Sequence, residues 1–201
     1  MTRAPILFYF DFSSPYGYLA SLEIDTLAGR HGRSAAWRPI LLGVVMRTTG
    51  MRPLTEVPLK GDYMRRDAPR SARRMGAPFV WPAAFPISTV APSRAYYWLL
   101  DADEAKAKAL GRALFRAYFG EGRDISQAEV TADVAATLGL GRGEVLAALQ
   151  EQRIKDRLRA ETEAAVAAGV FGSPYVIVDG EPFWGHDRLG DVERWLETGG
   201  W

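Results

Sequence analysis

The segments that read as β-strand lie near the two ends of this chain, with a long helical stretch between them. "ILFYF" at residues 6–10 is aromatic and β-branched, and too short for a helix, so a buried strand is predicted. Pro15 opens "YGYLASLEIDTLAGRHG", where Tyr18, Leu19, Leu22 and Leu27 recur at near-helical spacing and Gly32 supplies a stop. "SAAWRPILL" follows as a second strand, at the spacing of a βαβ unit with parallel strands. At the far end "YVIVDGEPFWG" reads as strand, Asp-Gly turn and strand. "HDRLGDVERWL" reads as a closing helix with Leu189, Val192, Trp195 and Leu196 on one face. One sheet assembled from both ends is expected, and the middle of the chain must leave that sheet and return to it.

The middle has a different character. After Gly43 it is rich in Arg, Pro and Met, and "LKGDYMRRDAPRSARRMG" reads as a short helix broken near Pro69. Helices are expected at 92–101, 103–119, 126–138 and 143–168, with Ser126 and Glu129 as a capping box for the third. This block is too long for a loop and reads as an all-helical insertion. The expected division is residues 1–42 and 164–201 for the sheet-bearing unit and 43–163 for the insertion.

Composition narrows the function classes. At 201 residues and 48% hydrophobic, the chain can bury one sizeable core. With 25 basic and 24 acidic residues, its net charge of +1 suggests neither nucleic acid nor an anionic membrane as partner. The absence of cysteine excludes disulfides, thiolate metal sites and thiol redox chemistry by the chain itself, and no metal is expected. No stretch approaches the ~18 apolar residues of a spanning helix. "MTRAPILFYFDF" does not read as a signal peptide, since its short apolar run meets Asp11. A soluble cytoplasmic protein is the expectation.

A few residues invite chemistry. On position alone Ser14 is a helix N-cap, worth ~1 kcal/mol. The same geometry suits a hydroxyl that donates to an anion. A hydrolase nucleophile is disfavoured, because Pro15 has no N–H to build an oxyanion hole; Ser173 is likewise followed by Pro174. "GSPY" at 172–175 is either an ordinary turn or a cis-proline loop offering the Ser173 backbone to an extended, peptide-like ligand. Asp187 and Arg188 are either a cap and a solvated cation, or an acceptor for an ammonium group and a donor for a carboxylate. His186 reads as a turn residue, and Tyr96, Tyr97 and Trp98 read as core. The basic run through residues 65–74 reads as a solvated helix face.

Taken together, "FYFDFSSPYGYLA", "VPLKGDYMRRD", "FP" near residue 85, "GVFGSPYVIVDGEPFWGHDRL" and "VERWLETGGW" resemble the 2-hydroxychromene-2-carboxylate isomerases. Those are similar to kappa-class glutathione transferases, within the thioredoxin-like superfamily. The resemblance implies an α/β fold, a thioredoxin-like domain with an inserted all-helical domain, and a homodimer. It implies that Ser14-Pro15-Tyr16-Gly17 stands where redox relatives carry Cys-x-x-Cys, and that the reactive sulfur arrives as glutathione. Ser14 would then be the catalytic contact to that sulfur. Ser173, before a cis Pro174, would pair through its backbone with the cysteinyl part. Asp187 and Arg188 would bind the γ-glutamyl end, and Lys60 would join the glutathione site. The implied reaction is cis–trans isomerisation of 2-hydroxychromene-2-carboxylate to trans-o-hydroxybenzylidenepyruvate, with glutathione as cofactor. A kappa-like transferase is the second reading, and a non-catalytic peptide-binding module the third. The chain departs from the pattern at Met51 and Ser88, where relatives often have Asn, and at His186, where Asn, Gln or Ser is more common.

Physical magnitudes assign Ser14 a task within that implied site. Lowering a thiol pKa from ~8.5 to ~6.5 takes about 2.7 kcal/mol. A helix dipole supplies ~0.3–1 kcal/mol, and a hydrogen bond to a charged group ~1.5–3 kcal/mol. The hydroxyl is therefore expected to supply the larger part.

Overall fold

The computed structural model describes residues 4–201. Strand β1 (Ile6–Phe10) pairs in parallel with β2 (Ala35–Pro39) and antiparallel with β3 (Tyr175–Val178). β3 turns into β4 (Glu181–Trp184), and the sheet order is β2-β1-β3-β4. The sheet expected from both ends of the chain therefore forms. Pro39 and Pro182 lie on its two edge strands, where a missing N–H is tolerated. Asp179 (φ 52°) and Gly180 (φ 93°) take the left-handed conformations of a primed two-residue turn, whose twist matches the hairpin.

Alternation along β1 separates two cores. Phe8 and Phe10 face one way and meet Trp37 edge-on, at ring-centroid distances of 5.3 and 5.4 Å. Phe10 and Phe12 continue to Phe115, at 5.3 and 4.9 Å, so this core runs from the sheet into the inserted helices. Each such ring pair adds ~0.5–1.5 kcal/mol beyond its burial. Tyr9 faces the other way and packs with Ile40, Val45, Ala165 and Tyr175. Tyr96 and Tyr97 are fully buried, and their hydroxyls donate to the carbonyls of Trp37 and Pro39. The core reading of these two tyrosines therefore holds.

The helices are α1 (Pro15–Ser21), α2 (Ile24–Arg30), α3 (Leu42–Thr49), α4 (Lys60–Arg74), α5 (Val90–Leu100), α6 (Glu104–Phe115), α7 (Ala128–Ala136), α8 (Arg142–Ala148), α9 (Gln152–Ala167) and α10 (Leu189–Thr198). Helices α3 to α9 carry the chain from β2 to β3. Among the described residues none is long and apolar enough to cross a membrane.

Four expectations about helices are corrected. The helix predicted after Pro15 is two helices, because the Ser21 hydroxyl donates to Tyr18 O and the following N–H groups of Leu22 and Glu23 tighten to i→i−3 bonds. The break predicted at Pro69 does not occur. Pro69 frees the carbonyl of Arg65, and the Trp81 indole N–H donates to it at 3.0 Å, so α4 runs on to Arg74. The helix predicted over 143–168 is interrupted between α8 and α9, where the Arg94 guanidinium donates to Leu149 O. Ser126 does not cap α7: its hydroxyl and N–H both bond Asp124 Oδ1, and the helix begins at Ala128 behind Gln127.

Candidate active site

The site is assembled where β1 ends. Ser14 is the N-cap of α1, only 5% exposed, with Pro15 at the first helical position. Its Oγ accepts the Gly17 N–H at 3.0 Å and donates to the carbonyl of Ser173 at 2.9 Å. A hydroxyl has one proton, so that proton rests on Ser173. The Ser173–Pro174 bond is cis, as the loop reading expected. The Ser173 N–H has no hydrogen-bond partner among the described residues. Gly17 allows a close approach here: a Cβ would lie 3.1 Å from Ser173 Oγ and 3.2 Å from Ser14 Cβ, so a side chain would press both serines by a few tenths of an ångström.

Asp11 holds these pieces in register. It is almost wholly buried. Oδ1 accepts the Ser13 N–H at 2.7 Å, and Oδ2 accepts the Leu42 N–H at 2.7 Å and the Thr89 hydroxyl at 3.1 Å. Its own N–H donates to Ser173 Oγ at 2.9 Å. Burial pushes the carboxyl up to about 6, against the opposing pull of those N–H and O–H donors. One side chain thus ties the active-site turn, the start of α3 and the start of α5, while the same residue's backbone holds the cis-proline loop.

A cleft of about 980 Å³ opens beside Ser14, and Lys60, Ser173, Pro174, Asp187 and Arg188 all line it. The structure therefore brings every sequence-predicted site residue to one cavity. Met51, one departure from the relatives' pattern, also lines it. Ser88 is exposed and is not among the lining residues. Asp187 and Arg188 lie in a short 3-10 turn ahead of α10. Asp187 caps neither element, and its carboxylate is 4.0 Å from Arg188, which reaches Asp191 at 3.2 Å.

Sequence reasoning missed several lining residues. Tyr16 donates from its hydroxyl to Asp67 Oδ2 at 2.9 Å, and its ring stacks on His186 at 5.0 Å. His186 is thus more than a turn residue. Burial, partly offset by Asp187, holds its imidazole below the usual value, so it is neutral at pH 7. Partial burial disfavours charge on Asp67, but donors from Arg70, Tyr16 and Tyr63 outweigh this and hold its carboxyl below the usual range. Arg74 also lines the cleft, so the basic run on α4 is not wholly a solvated face. One signal was present for Asp11: a carboxylate inside "FYFDF" interrupts an apolar run. Tyr16 and Asp67 lay within the stretches that carry the resemblance and Arg74 within the basic run, but nothing local paired them, because α4 meets α1 only in the folded chain.

Comparison with known proteins agrees with this fold. The DSBA-like thioredoxin domain family matches over residues 5–197. A 2-hydroxychromene-2-carboxylate isomerase of Pseudomonas putida is 32% identical over 184 residues, covering 90% of this chain and 89% of that protein. Glutathione s-transferase kappa 2 of Caenorhabditis elegans is 28% identical over 212 residues, covering 96% of this chain and 92% of its own. A solved structure of 2-hydroxychromene-2-carboxylate isomerase superposes with a TM-score of 0.87 at 30% identity, covering 96% of this chain and 95% of that one. The match spans the sheet, the inserted helices and the cleft, and the chain belongs to the DSBA-like thioredoxin domain family, alongside the 2-hydroxychromene-2-carboxylate isomerases.

Proposed function

We propose that this protein is a glutathione-dependent cis–trans isomerase that interconverts 2-hydroxychromene-2-carboxylate and trans-o-hydroxybenzylidenepyruvate, or a closely related conjugated acid. The observation that carries the reading is a buried serine hydroxyl set against the backbone of a cis-proline loop, in a chain with no cysteine. Such a site is built to receive a sulfur rather than to supply one.

The residues present fit glutathione. That ligand has one ammonium group, two carboxylates and a peptide backbone. The cleft offers Asp187 for the ammonium and Arg188 and Arg74 for the two carboxylates, which leaves Lys60 for a second reactant. The unpaired Ser173 N–H matches a peptide carbonyl. When bound, glutathione supplies the thiolate nucleophile that the chain itself lacks. Ser14 Oγ would turn its proton from Ser173 O toward that sulfur as negative charge develops there. Asp11 keeps Ser14 and Ser173 at that distance. His186, stacked and neutral, backs the Tyr16 wall without adding charge.

An absorbance assay of the chromene and benzylidenepyruvate forms, with and without glutathione, tests the reading. Interconversion should require glutathione and leave its concentration unchanged. Stoichiometric loss of glutathione to an electrophile would favour the kappa-like transferase reading instead. Interconversion at the same rate without glutathione would refute the proposal.

A further inference from the structure

The mouth of the cleft carries a strained turn. Leu59 sits at φ 67°, ψ −42°, and the Lys60 N–H donates to Pro58 O at 2.8 Å. This is a three-residue γ-turn of the rare, strained hand. Glycine adopts that conformation readily, yet the chain places a leucine there and leaves it 83% exposed. A strained backbone and an apolar side chain in water both count against stability, and they coincide at one residue. Backbone strain of this kind clusters at active sites and ligand clamps.

Leu59 stands at the rim of an apolar recess of about 370 Å³. Tyr16, Leu54, Tyr63 and Met64 line it with Leu59, and Lys60 is the charged group among them. Apart from Leu59, each of these residues also lines the main cleft, so the recess opens directly onto the Ser14 site. The Tyr16 wall is held in place by its bond to Asp67 and its stack on His186. The volume is at the small end of ligand pockets, ~300–1,000 Å³, which suits one or two fused rings and not a peptide. Lys60 makes no ion pair among the described residues, leaving its ammonium free for a carboxylate.

We propose that this recess seats the ring of the second reactant, a flat conjugated acid whose carboxylate meets Lys60, and that Leu59 is the specificity-determining lip over that ring. The identity of this occupant as the second reactant rests on the glutathione-dependent reading above. The lip explains why strain is retained at Leu59: the turn aims an aliphatic side chain over a flat ligand.

The test compares wild type with Leu59→Gly, which relieves the turn and removes the lip, and Leu59→Ala, which keeps the turn. trans-Cinnamate serves as the probe, followed by quenching of intrinsic fluorescence. Glutathione affinity is measured separately by calorimetry, and thermal midpoint and light scattering accompany each variant. Both variants should bind cinnamate at least five-fold more weakly and raise KM for the benzylidenepyruvate by a similar factor. Glutathione affinity should stay within two-fold, and Leu59→Gly should melt no lower than wild type. Unchanged cinnamate affinity in Leu59→Gly would overturn the proposal. So would a loss of self-association in the variants, which would assign Leu59 to a contact between two copies of the chain. Wild type that binds cinnamate but not glutathione would support the recess while refuting the glutathione reading.

Discussion

Ser14→Ala separates a helix cap from a sulfur ligand. The magnitude follows from where the Ser14 proton lies. In the structure it sits on Ser173 O at 2.9 Å, so a sulfur anion must compete with an existing bond. A hydrogen bond to a charged group is worth ~1.5–3 kcal/mol and a neutral one ~0.5–1.5 kcal/mol. The difference, about 1–1.5 kcal/mol, is roughly one pKa unit at ~1.36 kcal/mol per unit. That is smaller than the sequence arithmetic suggests, because the sequence shows no competitor. Ser14→Ala should therefore raise the pKa of bound glutathione by about one unit. A raised thiol pKa means less thiolate at neutral pH, so the glutathione-dependent rate should fall up to about ten-fold. The variant also loses the cap on the Gly17 N–H, which costs about 1 kcal/mol and lowers Tm by ~2–4 °C for a chain of this size. Thiolate absorbance near the ultraviolet edge, titrated against pH in folded protein, reads the shift. Identical titrations for wild type and variant would mean that Ser14 only caps α1. A shift beyond two units would refute the competition with Ser173.

Three further outcomes are expected. Asp187→Ala and Arg188→Ala should each weaken glutathione binding about ten-fold, the low end for charge-assisted contacts because both side chains are exposed; calorimetry showing no change in either would remove them from the site. Asp11 should titrate near pH 6 in a carboxyl-carbon NMR titration, and a midpoint near 4 would contradict its burial. Its folded pKa is raised above the unfolded value, so its stabilising contribution is complete below pH ~4 and is lost, by about 3 kcal/mol, as pH rises through about 6. Gly172→Ala should displace Trp184, since a Cβ there would lie 2.2 Å from its Nε1; the half-exposed indole can swing out, and an unchanged tryptophan emission spectrum would contradict this.

Much of this protein was legible in short stretches of its sequence. The apolar, β-branched and aromatic run "ILFYF", the Asp-Gly turn and the Ser14-Pro15 helix start are decided by residues within a few positions of one another, and the structure reproduces each. The site residues Ser14, Ser173, Pro174, Asp187 and Arg188 fell into motifs for the same reason. What the sequence did not show depends on partners far along the chain. Pro69 reads as a helix breaker until the Trp81 indole caps the carbonyl it frees. Leu149 reads as mid-helix until Arg94 takes its carbonyl. Asp11 reads as a polar interruption until its carboxylate meets Leu42 and Thr89. The Ser14 hydroxyl finds its acceptor 159 positions away. Local propensity sets which elements can form, because it acts through neighbouring dihedral angles. Folding then buries polar groups that must find partners, and only the packed arrangement of the elements decides which partner each one meets.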